Sequence, residues 1–92
     1  MLEIVKNKST FSFIEERDWY IGELKLREVV IEEQEEVHYN NGHISKDEYV
    51  YYIRFDSHNR VCSGEISHRG IIRELSIKHC INVINSVDWN KW

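Results

Sequence analysis

Histidine, cysteine and carboxylate side chains are the groups of this chain that could do chemistry. The chain holds five histidines and two cysteines in 92 residues. His38 and His43 flank an Asn-Asn-Gly segment, and if that segment is a hairpin turn, Glu36 and Asp47 project from the same face as the two histidines. Zinc takes three or four such ligands, but the His-x4-His spacing is a weak signal, and exposed turn histidines are the better explanation of it. We expect neither a bound metal nor a cofactor.

A nucleophile and a general base could be assembled from Cys62 or Cys80 with His68 or His79. Cys80, however, falls on the apolar side of a predicted helix, where a thiol packs as a small core residue. No phosphate-binding loop or other catalytic spacing is present. The sequence therefore predicts a protein that is not an enzyme.

Carboxylates are concentrated between Glu15 and Glu48. Residues 15–48 carry eleven acidic and four basic side chains, whereas residues 49–92 carry four acidic and six basic, so the net charge of −4 hides a polarised molecule. Such a field repels nucleic-acid phosphates and attracts surfaces rich in lysine and arginine. We predict that this stretch docks onto a basic protein, such as a nucleic-acid-binding protein, without binding nucleic acid itself. The predicted contact residues are Glu32, Glu33, Glu35, Glu36, Asp47 and Glu48.

Two other interpretations of the acidic stretch remain open. It could be a solvated face in which charge protects an edge strand from pairing with other chains. It could also bind a divalent cation, although the chain has no Asp-x-Asp-x-Asp-Gly loop.

The aromatic strand around Tyr51 supports an alternative function, a domain that captures a nucleotide-like small molecule. Tyrosine and tryptophan, with Trp19 nearby in sequence, would stack on the base, and arginines would bind the phosphates. The residues predicted for this site are Tyr51, Tyr52, Arg54, Arg60 and Arg73. If one aromatic face of this strand stays uncovered, a homodimer or a docked partner could cover it. The terminal Trp89 and Trp92 could equally bind a partner or fold back onto the core.

Length and composition indicate one domain over residues 1–92. A chain of this size buries a modest core and cannot be divided into two stable units. No apolar run reaches the roughly 18 residues that span a bilayer, and the N-terminus lacks the pattern of a signal peptide. We therefore expect a cytoplasmic protein with two free thiols and no membrane partner. The absence of proline and alanine, with many residues of AT-rich codons, suggests an AT-rich bacterium or its phage as the source.

The order of elements predicts an α+β fold: a small antiparallel sheet of four to five strands, a meander of hairpins, covered by a C-terminal helix. Alternating apolar residues predict strands at 10–14, 19–31, 49–55 and 60–66. Ile77, Cys80, Ile81, Ile84 and Val87 have helical spacing, with Ser76 as N-cap. Residues 71–75 could be a further strand or the beginning of this helix.

Asn41 and Gly42 predict a two-residue hairpin turn. In that register Val30 faces Ile53, Glu35 faces Glu48 and Glu36 faces Asp47. Like charges opposite each other destabilise a ladder by up to about 1 kcal/mol each. The hairpin must therefore splay, open into a loop or be held by positive groups. Taken together, these features favour a small binding protein, an inhibitor or anti-defence factor of phage or mobile-element type.

Overall fold

The computed structural model describes residues 1–89, which form one five-stranded antiparallel sheet and one helix. The strands lie in the sheet in their order along the chain, as a meander of hairpins. This confirms the predicted α+β fold. No helix among residues 1–89 is long and apolar enough to cross a membrane. The elements are β1 (Ile4–Ile21), β2 (Leu24–Tyr39), β3 (Ile44–Phe55), β4 (Val61–His68), β5 (Ile71–Glu74) and α1 (Ile77–Ser86).

Glycines with positive φ lie in three of the four hairpin turns. Gly22 has φ 59° and begins a two-residue turn between β1 and β2, so the prediction of one continuous strand over residues 19–31 was wrong. Glycine tolerates positive φ because it has no Cβ, and this position permits the chain to reverse. At the β4–β5 turn both Arg69 and Gly70 have positive φ, as a type I′ hairpin turn requires. Residues 71–74 are therefore a strand, which settles the alternative left open by the sequence.

The β2–β3 hairpin differs from the sequence prediction by one residue. The amide of Tyr39 donates to the carbonyl of His43 at 2.9 Å, and the amide of Gly42 donates back to the carbonyl of Tyr39 at 3.1 Å. The turn thus contains three residues, with Gly42 at φ 86° in the left-handed region. Three-residue hairpin loops place a left-handed residue at this position. The predicted two-residue turn was wrong, and every cross-strand partner moves by one position.

The corrected register relieves part of the predicted charge conflict. Glu36 faces Lys46 rather than Asp47, and Glu48 faces Gln34 rather than Glu35. Glu35 still faces a carboxylate, that of Asp47. Pairing nevertheless continues without interruption from the turn to the far end of the hairpin, so the strands neither splay nor open into a loop.

The two faces of the sheet have different surroundings. We call the side that carries Val29, Ile31, Tyr51 and Ile53 the helix face, because α1 packs there with Cys80 and Val83 and completes the main core. The opposite side, which carries Glu28, Val30 and Tyr52, is the open face. The register shift exchanges these assignments for β2, since Val29 rather than the predicted Val30 faces Ile53 across the ladder.

The helix begins at its predicted N-cap. Ser76 accepts a hydrogen bond from the amide of His79 at 3.1 Å. The Cys80 side chain then lies fully buried against Gly64 of β4, where an added Cβ would collide with the sulfur atom. Trp89 donates through Nε1 to the carbonyl of Ile84 and packs on Phe13 with ring centroids 5.5 Å apart. Trp92 lies outside the described residues.

The helix covers only part of a long sheet. Ten residues of helix extend about 15 Å, whereas the molecule measures 55 Å along its longest axis. Beyond the core, three strands continue alone as a three-stranded region. We call this region the distal arm; it comprises residues 4–12 of β1, 32–39 of β2 and 44–49 of β3.

Candidate functional site

Charges in the distal arm are sorted between the two faces of the sheet. The arm contains six carboxylates and three lysines. Lys8 and Lys46 both pair with Glu36, and Lys6 pairs with His38, so the strand alternation places all three lysines on the open face. The helix face of the arm therefore carries carboxylates without any lysine.

We call the carboxylates of Glu33, Glu35 and Asp47 on the helix face the acidic ledge. Glu33 is buried beside the core, where it accepts a hydrogen bond from the hydroxyl of Tyr51 at 2.5 Å. Burial, and then this hydrogen bond, raise the pKa of Tyr51 above its usual value, which keeps the hydroxyl protonated as a donor. Glu35 and Asp47 continue the row outward as a cross-strand pair. The ledge thus joins the edge of the core to the exposed end of the arm.

Asp47 is held by positive and polar groups from the β4–β5 turn. Nε2 of His68 lies 2.8 Å from Oδ1 of Asp47, and Nη2 of Arg69 lies 3.4 Å from Oδ2. The His68 ring lowers the pKa of Asp47, with further contributions from the Glu48 amide and Arg69, while partial desolvation acts in the opposite direction. These contacts explain how the hairpin tolerates Glu35 opposite Asp47.

Next to the ledge lies a shallow groove of about 270 Å³. Tyr49 forms its wall and stacks on the His68 ring with centroids 4.3 Å apart. Desolvation is the main cause that raises the pKa of Tyr49, and the nearby carboxylates of Glu35, Asp47 and Glu33 add to it. An aromatic, partly apolar groove beside a row of carboxylates suits a segment that carries both apolar and basic side chains. The groove is lined by Tyr49, Ile66, His68, Ile71 and Arg73.

The other three predicted contact residues lie on the open face in a mixed-charge setting. Glu36 contacts Nε2 of His38 at 2.6 Å. The hydrogen bond from His38 is the main cause that lowers the pKa of Glu36; the charges of His38, Lys46 and Lys8 add to it, and desolvation opposes it. Glu32 accepts from the side chain of Gln34, and Glu48 is exposed opposite the same glutamine. The structure therefore divides the predicted acidic set into two groups of three, one on each face.

The residues predicted for nucleotide capture do not meet at one place. Tyr51 is buried on the helix face, whereas Tyr52 and Arg54 lie on the open face. Arg60 is exposed in the β3–β4 turn, where it contacts Asp56, and Arg73 lies on the helix face of β5. The alternation of a strand separates adjacent residues such as Tyr51 and Tyr52, so they cannot stack on one ligand.

An ion-pair chain on the open face was not predicted from the sequence. Both carboxylate oxygens of buried Glu28 accept hydrogen bonds, from Nε of Arg17 at 2.6 Å and from Nε of Arg54 at 2.9 Å. Arg54 also donates to Glu65 at 2.6 Å and lies 4.0 Å from the centre of the Trp19 ring. In this ion-pair chain each carboxylate of Glu28 and Glu65 therefore has an arginine partner. The alternation of charged residues along β1 and β2 was the available signal, but the prediction of one strand over residues 19–31 left no pairing between Arg17 and Glu28.

The histidines and cysteines are spread over several elements of the fold. No group of three or more His, Cys, Asp or Glu side chains in this part of the chain is arranged to hold a metal ion. His38 lies on the open face, while His43 directly follows the turn. Cys62 is an exposed free thiol, and Cys80 is a buried one as predicted.

The chain matches no family model, no curated protein and no solved structure.

Proposed function

We propose that the protein is a non-enzymatic binding module that presents the acidic ledge and the adjacent groove to a basic surface of a partner protein. The proposal depends on one observation: all three lysines of the distal arm lie on the open face, which leaves the helix face of the arm with carboxylates. Of the six residues expected to contact the partner, Glu35 and Asp47 would therefore make the main electrostatic contribution. Glu33 contributes as a buried carboxylate that fixes Tyr51.

The mechanism is occlusion of a positively charged surface. The ledge carboxylates attract lysine and arginine side chains over a distance set by salt screening, about 10 Å at 0.1 M ionic strength. The groove then receives apolar side chains from the same segment of the partner protein. Their burial adds contact area to the electrostatic attraction. A small protein acting in this way is suited to inhibit a nucleic-acid-binding partner, as an anti-defence factor does, because it competes for the surface that binds phosphates.

Neutralising the ledge tests the proposal. The double variant Glu35→Gln/Asp47→Asn should reduce the association rate with the captured partner by about tenfold at low salt, because complementary charge acts chiefly on association. The matched control is Glu32→Gln/Glu48→Gln, which makes the same change in net charge on the open face and should have little effect. The partner is captured from an extract of the source cells on the immobilised protein at low salt and eluted at high salt, and rates are then measured by surface plasmon resonance.

Equal losses in the two variants would show that net charge rather than the ledge determines binding. Unchanged rates in both would contradict electrostatic docking altogether. A nucleotide screen by thermal shift addresses the alternative of ligand capture, since a ligand in excess over its dissociation constant must raise the melting temperature.

A further inference from the structure

The β2–β3 turn contains two neighbouring asparagines whose side chains make different contacts. Asn40 is held by the N-terminal segment, because its Oδ1 accepts a hydrogen bond from the Glu3 amide at 3.2 Å and its Nδ2 donates to the Met1 carbonyl at 2.9 Å. The Asn41 side chain is held at its oxygen, where Oδ1 accepts a hydrogen bond from the His43 amide at 2.9 Å. In the described part of the chain Nδ2 of Asn41 donates no hydrogen bond. Its amino group is therefore the less restrained of the two.

Asn41 is followed by the residue type that hinders an attack on its side chain least. It is the only asparagine of the chain that precedes a glycine. Gly42 has no Cβ, so no side chain of its own shields its backbone nitrogen. Both residues are exposed, and a Cβ added to Gly42 would meet no atom within 4 Å. Water and hydroxide therefore reach the Gly42 nitrogen and the Asn41 side chain.

The hydrogen bond from His43 activates the Asn41 side chain for such an attack. Oδ1 is the oxygen on which negative charge develops when a nitrogen adds to Cγ, and a fixed backbone donor at that oxygen stabilises the charge. The Gly42 amide donates to the Tyr39 carbonyl at 3.1 Å and has to leave it before it reacts. Because the turn is exposed at the end of the ladder, this step needs local opening without unfolding of the core.

We propose that Asn41 is a site of self-modification, at which the side chain cyclises onto the backbone of Gly42 and is then hydrolysed. The Gly42 nitrogen loses its proton to hydroxide and forms a bond with Cγ of Asn41. The bond between Cγ and Nδ2 breaks, and the amino group takes a proton from water and leaves as ammonia. The chain now contains a cyclic imide, in which the Gly42 nitrogen is bonded to both carbonyl carbons of residue 41.

Water completes the reaction by adding to one of these two carbonyl carbons and breaking its bond to the nitrogen. Opening at Cγ gives aspartate in the ordinary backbone. Opening at the main-chain carbonyl gives isoaspartate, in which the chain continues through the former side chain. Water is the only co-reactant, and no atom is oxidised or reduced.

Either product changes the end of the distal arm. A new carboxylate is added to an arm that already contains six carboxylates and three lysines. Isoaspartate also lengthens the backbone of the turn by one methylene group. This displaces His43 relative to Tyr39 and weakens the hydrogen bond from the Tyr39 amide to the His43 carbonyl. The modification is independent of the proposed partner binding.

Prolonged incubation of the purified full chain at physiological temperature tests the proposal. Intact mass should rise by the difference between one amide and one acid, and peptide mapping should locate the change at Asn41. Both aspartate and isoaspartate should be present at that position. The rate should increase in proportion to hydroxide concentration, because the attacking nitrogen has to lose a proton. Asn40 and Asn59 should keep their amides while Asn41 is converted.

Asn41→Gln is the control, because glutamine would have to form a larger ring and reacts far more slowly. The mass gain should disappear in this variant, and circular dichroism checks that it is folded. Earlier conversion of Asn40 or Asn59 than of Asn41 would overturn the proposal. Aspartate without isoaspartate would contradict the cyclic imide, since direct hydrolysis gives aspartate alone. An unchanged mass over a period in which the urea-unfolded chain is converted would show that the folded turn blocks the reaction, which would also overturn it.

Discussion

Glu28 is a carboxylate almost completely buried in a sheet face that no helix or second sheet of residues 1–89 covers. Its side chain is 1% exposed, between the guanidinium groups of Arg17 and Arg54. The two arginines cover Glu28 together with two aromatic rings: Arg54 packs on the Trp19 ring, and Arg17 lies over the Tyr52 ring. A buried charge of this kind is acceptable when it is paired and hydrogen-bonded. The open face is thus closed by long side chains where a second sheet or helix would otherwise be expected.

Removing this carboxylate should be costly. Glu28→Ala leaves the Arg54 guanidinium, which is 11% exposed, with one carboxylate instead of two, and the loss of one partner of a buried pair costs about 3 kcal/mol. Urea denaturation followed by tryptophan fluorescence measures the change in the free energy of unfolding. Glu15→Gln is the matched control, since Glu15 contacts Arg17 from an exposed position and should change stability by less than about 0.5 kcal/mol. Equal effects of the two substitutions would contradict a structural role for burial.

At the scale of secondary-structure elements, the β2–β3 hairpin combines a like-charge pair with contacts that compensate it. Glu35 and Asp47 face each other, while His68 and Arg69 reach Asp47 from the next turn. The β4–β5 turn therefore stabilises the distal arm through side chains as well as through the backbone ladder.

This arrangement predicts an acid-dependent contribution to stability. The pKa of Asp47 is lower in the folded protein than its ordinary value of 3.8. A carboxylate with a lowered folded-state pKa stabilises the protein above its unfolded-state pKa and loses that contribution as the pH falls through the folded-state pKa. Urea denaturation midpoints measured between about pH 5 and pH 2 should therefore fall less in Asp47→Asn than in the unaltered protein. A parallel decline in both proteins would contradict this role of Asp47.

Much of the fold could be predicted from the sequence, since alternating residues, turn residues and the helical spacing after Ser76 indicate an antiparallel meander with a C-terminal helix. The register of the acidic hairpin could not. Asn-Asn-Gly suits both a two-residue and a three-residue turn, and the choice between them exchanges the faces of the acidic residues. For the candidate site, the sequence shows that carboxylates are concentrated in this segment, but the separation of the lysines from Glu35 and Asp47 depends on that register. The ion-pair chain around Glu28 was missed because the turn at Gly22 was not predicted, which hides the Arg17–Glu28 pair, and because the β2–β3 register was misplaced, which hides the Glu28–Arg54 pair.

At the scale of the whole molecule, the core lies at one end of an elongated sheet. Apolar side chains from β2 and β3 meet α1 there, while the distal arm is held by its backbone ladder and its ion pairs. Stability is usually not uniform in such a structure, and segments with few buried contacts open more readily than the core. The helix is short and is held by a small group of side chains, notably Cys80 and Val83. We therefore expect it to undock before the sheet unfolds.

The contact between Gly64 and Cys80 makes that undocking measurable. The Cys80 thiol is fully buried, and burial raises its pKa, so a thiol reagent can reach it as a thiolate after the helix has moved away. The exposed thiol of Cys62 should react promptly, and Cys62→Ser leaves Cys80 as the single remaining cysteine. The logarithm of the Cys80 labelling rate should rise with urea concentration less steeply than the logarithm of the global unfolding constant does. Equal steepness would mean that helix and sheet open together. Because Gly64 has no side chain, the Cys80 thiol fits against the sheet, and its labelling rate reports how often the helix moves away from the core.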